Sequence, residues 1–246
     1  RPDLLHAQAS IDWAVAQLPS FQKRIDTWIE HNIEADIVDF DPTSPKCFIA
    51  AVEKEPLPLS FIVEAGAYIN VIRSSLDILA AVLAERFSIG NSKDIYFPVA
   101  PSEKVFFSGG YKGAELVKGL PATERGTLES LKPYEGGNEP LWSLHQLDIM
   151  RKHRRLLSVI HIPQRIMFSG FSGHIGFAFE PIAAPMAADD KTIIGFIPRH
   201  TAKRDLKMTT YVAFDESVVR IRKPIITVLS EFASLANTII KLFDSP

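Results

Sequence analysis

The segment from Leu59 to Phe87 is the feature that most constrains the fold. It is apolar along nearly its whole length, and it predicts one helix more strongly than any other part of the chain. Glu64, Arg73 and Asp77 interrupt the apolar residues at intervals, so we expect a helix buried in a protein core and no membrane span. The elements that cover this helix have to come from the rest of the chain.

Those other elements follow one another in runs of one type. Residues 3 to 32 have a helical recurrence of apolar residues, which Pro19 is expected to kink or break. The segments ADIVDF and KCFIAAVEK flank a turn-rich link and predict a β-hairpin. A long loop from Ser88 to Gly113 and a helix interrupted near Pro121 are expected next. The later segments RIMFSG, HIGFAFEP, TIIGFIP and MTTYVAF predict strands, and KPIITVLSEFASLANTIIKLF predicts a closing amphipathic helix.

Runs of like elements favour the α+β class over a doubly wound sheet. We expect a helical-bundle core with an N-terminal β-hairpin, a C-terminal strand-rich antiparallel section and a final amphipathic helix. The 246 residues are interpreted as a single domain. Its helical core is predicted at about 59–158, its strand-rich part at about 163–215 and its C-terminal helix at about 222–243.

Composition excludes some classes of function. A net charge of -2 gives no global basic field, so nucleic-acid binding would need a local basic patch. Cys47 is the single cysteine, which excludes a disulfide within the chain and a cysteine-cluster metal site and fits the cytoplasm. No phosphate-binding loop, dinucleotide fingerprint or HExxH motif is present, and we expect no metal and no cofactor.

A polar stripe is predicted on the apolar helix. At 100° per residue, Asp77 lies about 40° and Asn70 about 60° from Arg73. Small residues beside the stripe would let a neighbouring helix approach, so the stripe is expected to face protein. One interpretation is an ion pair between Arg73 and Asp77 in a packed groove. The other is an arginine that positions a phosphate for binding or chemistry.

The stretch LWSLHQLDIMRKHRRLL, from Leu141 to Leu157, is read as a second helix. A helical wheel at 100° per residue places Trp142, Ile149 and Leu156 in one stripe, which is predicted to face the core. It also predicts a solvated face on which Asp148 pairs with basic residues three, four and seven positions later. These partners are Arg151, Lys152 and Arg155.

The two histidines of this stretch are candidate site residues that cannot form a site alone. His145 and His153 are eight residues apart, about 12 Å along a helix, which is too far to share one metal ion. A partner from another helix is therefore needed, and we expect Arg73. The consecutive basic residues from Arg151 to Arg155, which include Lys152 and Arg154, form either a phosphate-binding patch or a solvated basic face.

Two segments carry a family resemblance: PLPLSFIVEAGAYINVIRSSLDILAAVLA and LKPYEGGNEPLWSLHQLDIMRKHRRLL. They resemble a widespread group of uncharacterised bacterial proteins with the motifs RSALDHLA, LQPY and PLWxLHxLDxxDKHRxLL. That group is distantly similar to HEPN ribonuclease and RNA-binding domains, helical bundles with an arginine followed four to six residues later by a histidine. Here Arg73 matches the arginine, but Ile78 stands at the histidine position and Asp77 is the nearest polar residue.

The resemblance implies a HEPN-like protein of the bacterial cytoplasm that binds RNA or another phosphate-bearing ligand. Arg73, Asp77, His145 and His153 are the candidate catalytic residues for a ribonuclease, and Asn70, Arg151, Lys152 and Arg154 the candidate ligand-binding residues. One alternative is a non-catalytic homo-oligomer that associates through its N-terminal and C-terminal helices. Another is a small-molecule enzyme with a pocket between the helical core and the sheet. Candidate pocket residues are Phe168, Phe171, Phe177 and Phe179, and a nucleophile at Ser172, near His174, stays open.

Overall fold

The structure is a computed structural model that describes residues 1–39, 41–90, 95–168, 180–188, 191–199, 206–220 and 222–244. Its helices and strands follow one another in runs, and the sheets are antiparallel, so the predicted α+β class with an early β-hairpin is confirmed. The helices are α1 (Leu5–Asn32), α2 (Leu59–Arg86), α3 (Glu103–Ser108), α4 (Ala114–Gly119), α5 (Ala122–Ser130), α6 (Glu139–His153) and α7 (Ile225–Leu242). The strands are β1 (Ile33–Val38), β2 (Lys46–Glu53), β3 (Val159–Phe168), β4 (Glu180–Ala188), β5 (Lys191–Pro198) and β6 (Leu206–Phe214).

The chain divides into two compact units, each built from several segments. Unit 1 comprises residues 1–21, 59–159 and 214–246, and unit 2 comprises residues 22–58 and 160–213. Compact units can belong to one folding domain, so the single domain stays a prediction.

Unit 1 is a helical bundle built around α2. This helix packs against α6, α7 and α4, and α6 also packs against α7. The face of α2 that these helices cover is almost completely buried, with Ile69, Ile72, Leu76, Leu79 and Leu83 each 0% exposed. Apolar side chains removed from water on this scale are the main stabilising term of such a bundle.

Unit 2 contains two antiparallel sheets. The larger has the strand order β1-β2-β5-β4, and the smaller pairs β3 with β6. The hairpin of β1 and β2 aligns Ile33 with Glu53 and Val38 with Phe48. Cys47, Ile49, Ile194 and Ile197 form a buried apolar cluster between β2 and β5.

Two local predictions differ from the structure. Helix α1 runs unbroken from Leu5 to Asn32 with Pro19 inside it, so of the predicted kink or break the break is wrong and the kink stays a prediction. Helix α3 lies within the segment predicted as a loop. Its N-cap is Ser102, whose hydroxyl accepts a hydrogen bond from the Val105 amide, and its C-cap is Gly109 with φ of 83°. A six-residue helix is too short for an apolar repeat to be recognised in the sequence. Its two caps, Ser102 and Gly109, are the signals that mark it.

Helices α2 and α7 are each long and apolar enough to cross a membrane. Within the most apolar 18-residue windows of these helices, 56% and 44% are buried inside the protein. Helix α7 contributes Leu229, Phe232 and Ala236 to the buried part of unit 1. Both helices therefore contribute buried residues to unit 1.

Candidate functional site

The side chain of Arg73 lies at the centre of a polar cluster in unit 1. It is 4% exposed, which confirms that the stripe on α2 faces protein. One terminal nitrogen donates to Asp77 Oδ1 at 2.7 Å, the other donates to the Phe97 carbonyl at 3.1 Å, and Nε donates to His145 Nδ1 at 3.4 Å. A buried guanidinium needs such acceptors, because an unpaired charge away from water is costly.

Asp77 connects α2 to the segment after it. Its Oδ1 also accepts a hydrogen bond from the Phe97 amide at 2.9 Å. Arg73 and Asp77 together therefore engage both backbone groups of Phe97, a residue that is 1% exposed. Phe97 was not predicted as part of the cluster, because a backbone partner leaves no residue pattern in a sequence.

His145 is the histidine that helix packing brings to Arg73. Because Arg73 donates to Nδ1, the ring proton of the neutral imidazole lies on Nε2. Burial, reinforced by the positive charge of Arg73, lowers the pKa of His145 to about 4. At neutral pH roughly one ring in a thousand is protonated, and a base with this pKa is weak. The ring is therefore poorly suited to general acid or base catalysis near pH 7.

Asp148 is buried, at 4% exposed, so the predicted solvated position is wrong. It accepts a hydrogen bond from Asn70 Nδ2 at 3.3 Å, and its other oxygen lies 2.6 Å from Lys152 Nζ. Arg151 Nε lies 3.7 Å from Oδ1. Asn70 and Asp148 thus join the polar stripe of α2 to α6.

The predicted core face of α6 is also wrong. Leu141, Leu144 and Leu147 are each 0% exposed, whereas Leu156 is 42% exposed. Helix α6 ends at His153, so Leu156 lies beyond the helix to which the wheel applied. Because apolar residues occur on most sides of this helix, the wheel could not indicate which side packs against α2.

Gly66 explains how α6 and α2 come close together. A Cβ atom at this position would lie 2.6 Å from the Arg151 Cδ atom. The aliphatic part of the Arg151 side chain therefore packs directly on the glycine. This agrees with the prediction that small residues on this face let a neighbouring helix approach. Its Nε is buried and has no hydrogen-bond partner among the described residues.

The remaining cations have different environments. His153 and Arg154 are exposed where α6 ends. Arg155 instead donates through both terminal nitrogens to Glu216, each at 2.8 Å. Glu216 is 6% exposed and also accepts from the Ser158 amide at 2.6 Å. The structure therefore separates His145, which contacts Arg73, from His153, which lies about 12 Å further along the helix.

Several candidate residues cannot be assigned to this site. Ser172 and His174, together with Phe171, Phe177 and Phe179, lie outside the described residues, as does the side chain of Phe168. A group of His, Cys, Asp or Glu side chains able to hold a metal ion is absent from the part of the chain that the structure describes. No family model, curated protein or solved structure matches this chain.

Proposed function

We propose that the protein binds RNA or another phosphate-bearing ligand at the carboxyl end of α6 and does not cleave it. The observation that carries this proposal is the exposure of Lys152, His153 and Arg154 as three consecutive residues. Exposed cations can contact phosphates at little desolvation cost, and phosphate contacts supply most of the affinity in sequence-independent nucleic-acid binding. The resemblance to HEPN-like bacterial proteins, and with it a cytoplasmic location, belongs to this proposal.

The local charge balance supports the proposal. Four permanent cations occupy positions 151, 152, 154 and 155, and the two carboxylates paired with members of this group are Asp148 and Glu216. Arg154 is exposed and makes no ion pair with any residue in the described ranges. The group therefore has an excess positive charge at its surface, although the chain as a whole has a net charge of -2.

Binding without cleavage is favoured by the surroundings of Arg73 and His145. Arg73 uses donors from all three guanidinium nitrogens within the protein and is 4% exposed, so a phosphate would have to displace existing partners. His145 has a pKa of about 4, far below the value that suits proton transfer at neutral pH. Arg73 and Asp77 accordingly have a structural role in this proposal.

The test is fluorescence anisotropy with labelled single-stranded and hairpin RNA at several salt concentrations. We expect Arg154→Gln to weaken binding and Arg154→Glu to weaken it further. Loss of one phosphate contact should reduce the slope of log affinity against log salt by about 0.7 to 0.9. Unlabelled inorganic polyphosphate as a competitor separates recognition of RNA from recognition of phosphate alone.

Lys23→Gln is the matched control, because Lys23 is an exposed cation on α1 in unit 2. Its RNA affinity should equal that of the parent protein. Equal affinity for Arg154→Glu and the parent would contradict the proposed surface. Shortened RNA on a denaturing gel, absent with heat-denatured protein, would contradict the proposal that the ligand is not cleaved.

The alternative function is homo-oligomerisation without catalysis. It is supported by exposed apolar side chains on α1, where Leu5 is 64%, Trp13 51% and Val15 48% exposed, and on α7, where Leu242 is 45% exposed. Large exposed apolar side chains, tryptophan above all, are frequent in association sites. A small-molecule enzyme also stays a prediction, since most of the aromatic residues on which it rests lie outside the described residues.

A further inference from the structure

A cavity of about 150 Å³ lies in unit 1, away from the residues discussed above. It is formed by side chains of the three short helices α3, α4 and α5. Its lining combines aromatic and aliphatic groups with charged groups of both signs. The residues that matter for its chemistry are Phe106, Phe107, Val117, Lys118, Arg125 and Glu129.

Within the described ranges, the three charged residues of this cavity have no charged partner. Neither Lys118, Arg125 nor Glu129 takes part in an ion pair with another residue in the described ranges. Arg125 and Glu129 are four positions apart on α5, a spacing that often gives a surface ion pair, and yet none forms here. Two cations and one carboxylate therefore line one small space without an ion pair to the described residues.

Arg125 is held in place by part of its guanidinium group. One terminal nitrogen donates to the Lys118 carbonyl at 3.2 Å and to the Leu120 carbonyl at 2.8 Å. Its Nε is buried and has no acceptor among the described residues. A buried N–H of a charged group without an acceptor is costly, and the charge of a carboxylate bound beside the guanidinium group would offset part of that cost.

The Lys118 side chain lies beside the turn that ends α3. Gly109 has φ of 83°, and a Cβ atom there would lie 2.6 Å from Lys118 Nζ. The ammonium group therefore rests against the backbone of the turn that ends α3. Only glycine combines this left-handed conformation with so close an approach.

The apolar part of the lining is aromatic. Phe106 is 3% exposed, and its ring centre lies 5.2 Å from that of Phe107 and 5.6 Å from that of Tyr111. Phe107 is 61% exposed, so its ring is accessible to a ligand. The cavity thus offers an aromatic surface beside the charged groups.

We propose that this cavity binds a free α-amino acid with an apolar side chain. Lys118 and Arg125 contact its carboxylate, Glu129 contacts its ammonium group, and Phe106 with Phe107 packs against its side chain. The volume corresponds to roughly ten water-sized spheres, which limits the ligand to about ten non-hydrogen atoms. A free amino acid matches this size. Its carboxylate can pair with the two cations of the lining, and its ammonium group can pair with Glu129. This inference is independent of RNA binding at α6.

Isothermal titration of the full chain with L-leucine tests the inference. Two analogues of the same shape remove one charge each: 4-methylpentanoate lacks the ammonium group, and 3-methylbutylamine lacks the carboxylate. We expect saturable binding of L-leucine and affinities at least about tenfold weaker for both analogues, because each charged group would lose its hydrogen-bonded partner. Lys118→Gln and Glu129→Gln should each weaken L-leucine binding by about the same factor.

Lys104→Gln is the matched control, because Lys104 is exposed on α3 and does not line the cavity. It should bind L-leucine as the parent does, and the thermal unfolding midpoints of all variants should agree. Absence of saturable heat up to about 10 mM L-leucine would overturn the inference. It would also be overturned if 4-methylpentanoate bound as tightly as L-leucine, or if both cavity variants kept the parent affinity.

Discussion

The protonation of His145 links one residue to the stability of unit 1. Burial is the main cause of its lowered pKa, and the charge of Arg73 adds to it. As the pH falls, the unfolded chain binds a proton near pH 6.5, whereas the folded chain does so only near pH 4. The contribution of His145 is therefore fully present above pH 6.5 and is lost as the pH falls from 6.5 towards 4.

We predict that this effect is measurable by urea unfolding between pH 7 and pH 4. The free energy of unfolding should fall by up to about 3 kcal/mol from His145 alone. His161, whose pKa is also lowered mainly by burial, acts in the same direction. His145→Gln should reduce the pH dependence, and His31→Gln, at an exposed position on α1, serves as the control. An NMR titration that gave an ordinary pKa of about 6.5 for His145 would contradict the prediction.

The polar stripe on α2 could be predicted from the sequence, whereas its partners could not. Arg73, Asp77 and Asn70 share a face because helix geometry alone sets their angles. The burial of Asp148 depends on what lies opposite, namely Asn70 and Lys152. Such a pairing between positions 70 and 148 leaves no local pattern. The sequence therefore predicted which helix His145 would meet without predicting that Asp148 would be buried beside it.

At the scale of elements, replacing two glycines of unit 1 by alanine is predicted to change the stability of the protein in opposite directions. Gly113 precedes α4 with φ of 92°, and a Cβ atom there would lie 2.7 Å from the Tyr96 carbonyl oxygen. Gly126 lies inside α5, and a Cβ atom there would meet nothing within 4 Å. The first glycine is required by its backbone conformation, and the second only weakens a helix.

We expect Gly113→Ala to destabilise the protein by about 1 to 3 kcal/mol, because alanine is strained in that conformation. Gly126→Ala should stabilise it by about 0.5 to 1 kcal/mol, since alanine loses less backbone entropy in a helix. The two free energies of unfolding are compared with that of the parent by thermal denaturation. Equal stability of the two variants would show that the backbone at Gly113 is not constrained as the structure has it.

Helix α1 illustrates why element boundaries were harder to predict than element types. Pro19 removes the donor that would bond the carbonyl of Val15, and in a helix interior this costs about 3 kcal/mol or more. Val15 is 48% exposed, so water can reach the carbonyl that loses its donor. Buried apolar residues of the same helix, including Leu18 and Phe21, hold it in one piece. Packing thus outweighs the local preference from which the break was predicted.

At the scale of the whole molecule, the exposed apolar residues of α1 predict self-association. We expect sedimentation equilibrium at micromolar concentration to detect a dimer. Trp13→Glu should weaken that dimer by about 2 kcal/mol or more, because an exposed tryptophan is a frequent central residue of interfaces. Ser20→Glu adds the same charge at another exposed position of α1 and should leave association unchanged. A strictly monomeric parent protein would contradict this prediction.

The division of unit 1 among three chain segments has a consequence for biosynthesis. Helix α2 ends at Arg86, whereas α7, which covers it, begins only at Ile225. At a synthesis rate of about 5 to 20 residues per second, α7 is synthesised on the order of ten seconds after α2. The part of α2 that α7 covers stays without this partner for that time. During that interval, chaperones can bind the exposed apolar face of α2 in the nascent chain. Slower elongation between these two helices should therefore prolong the exposure of this face and lower the yield of folded protein.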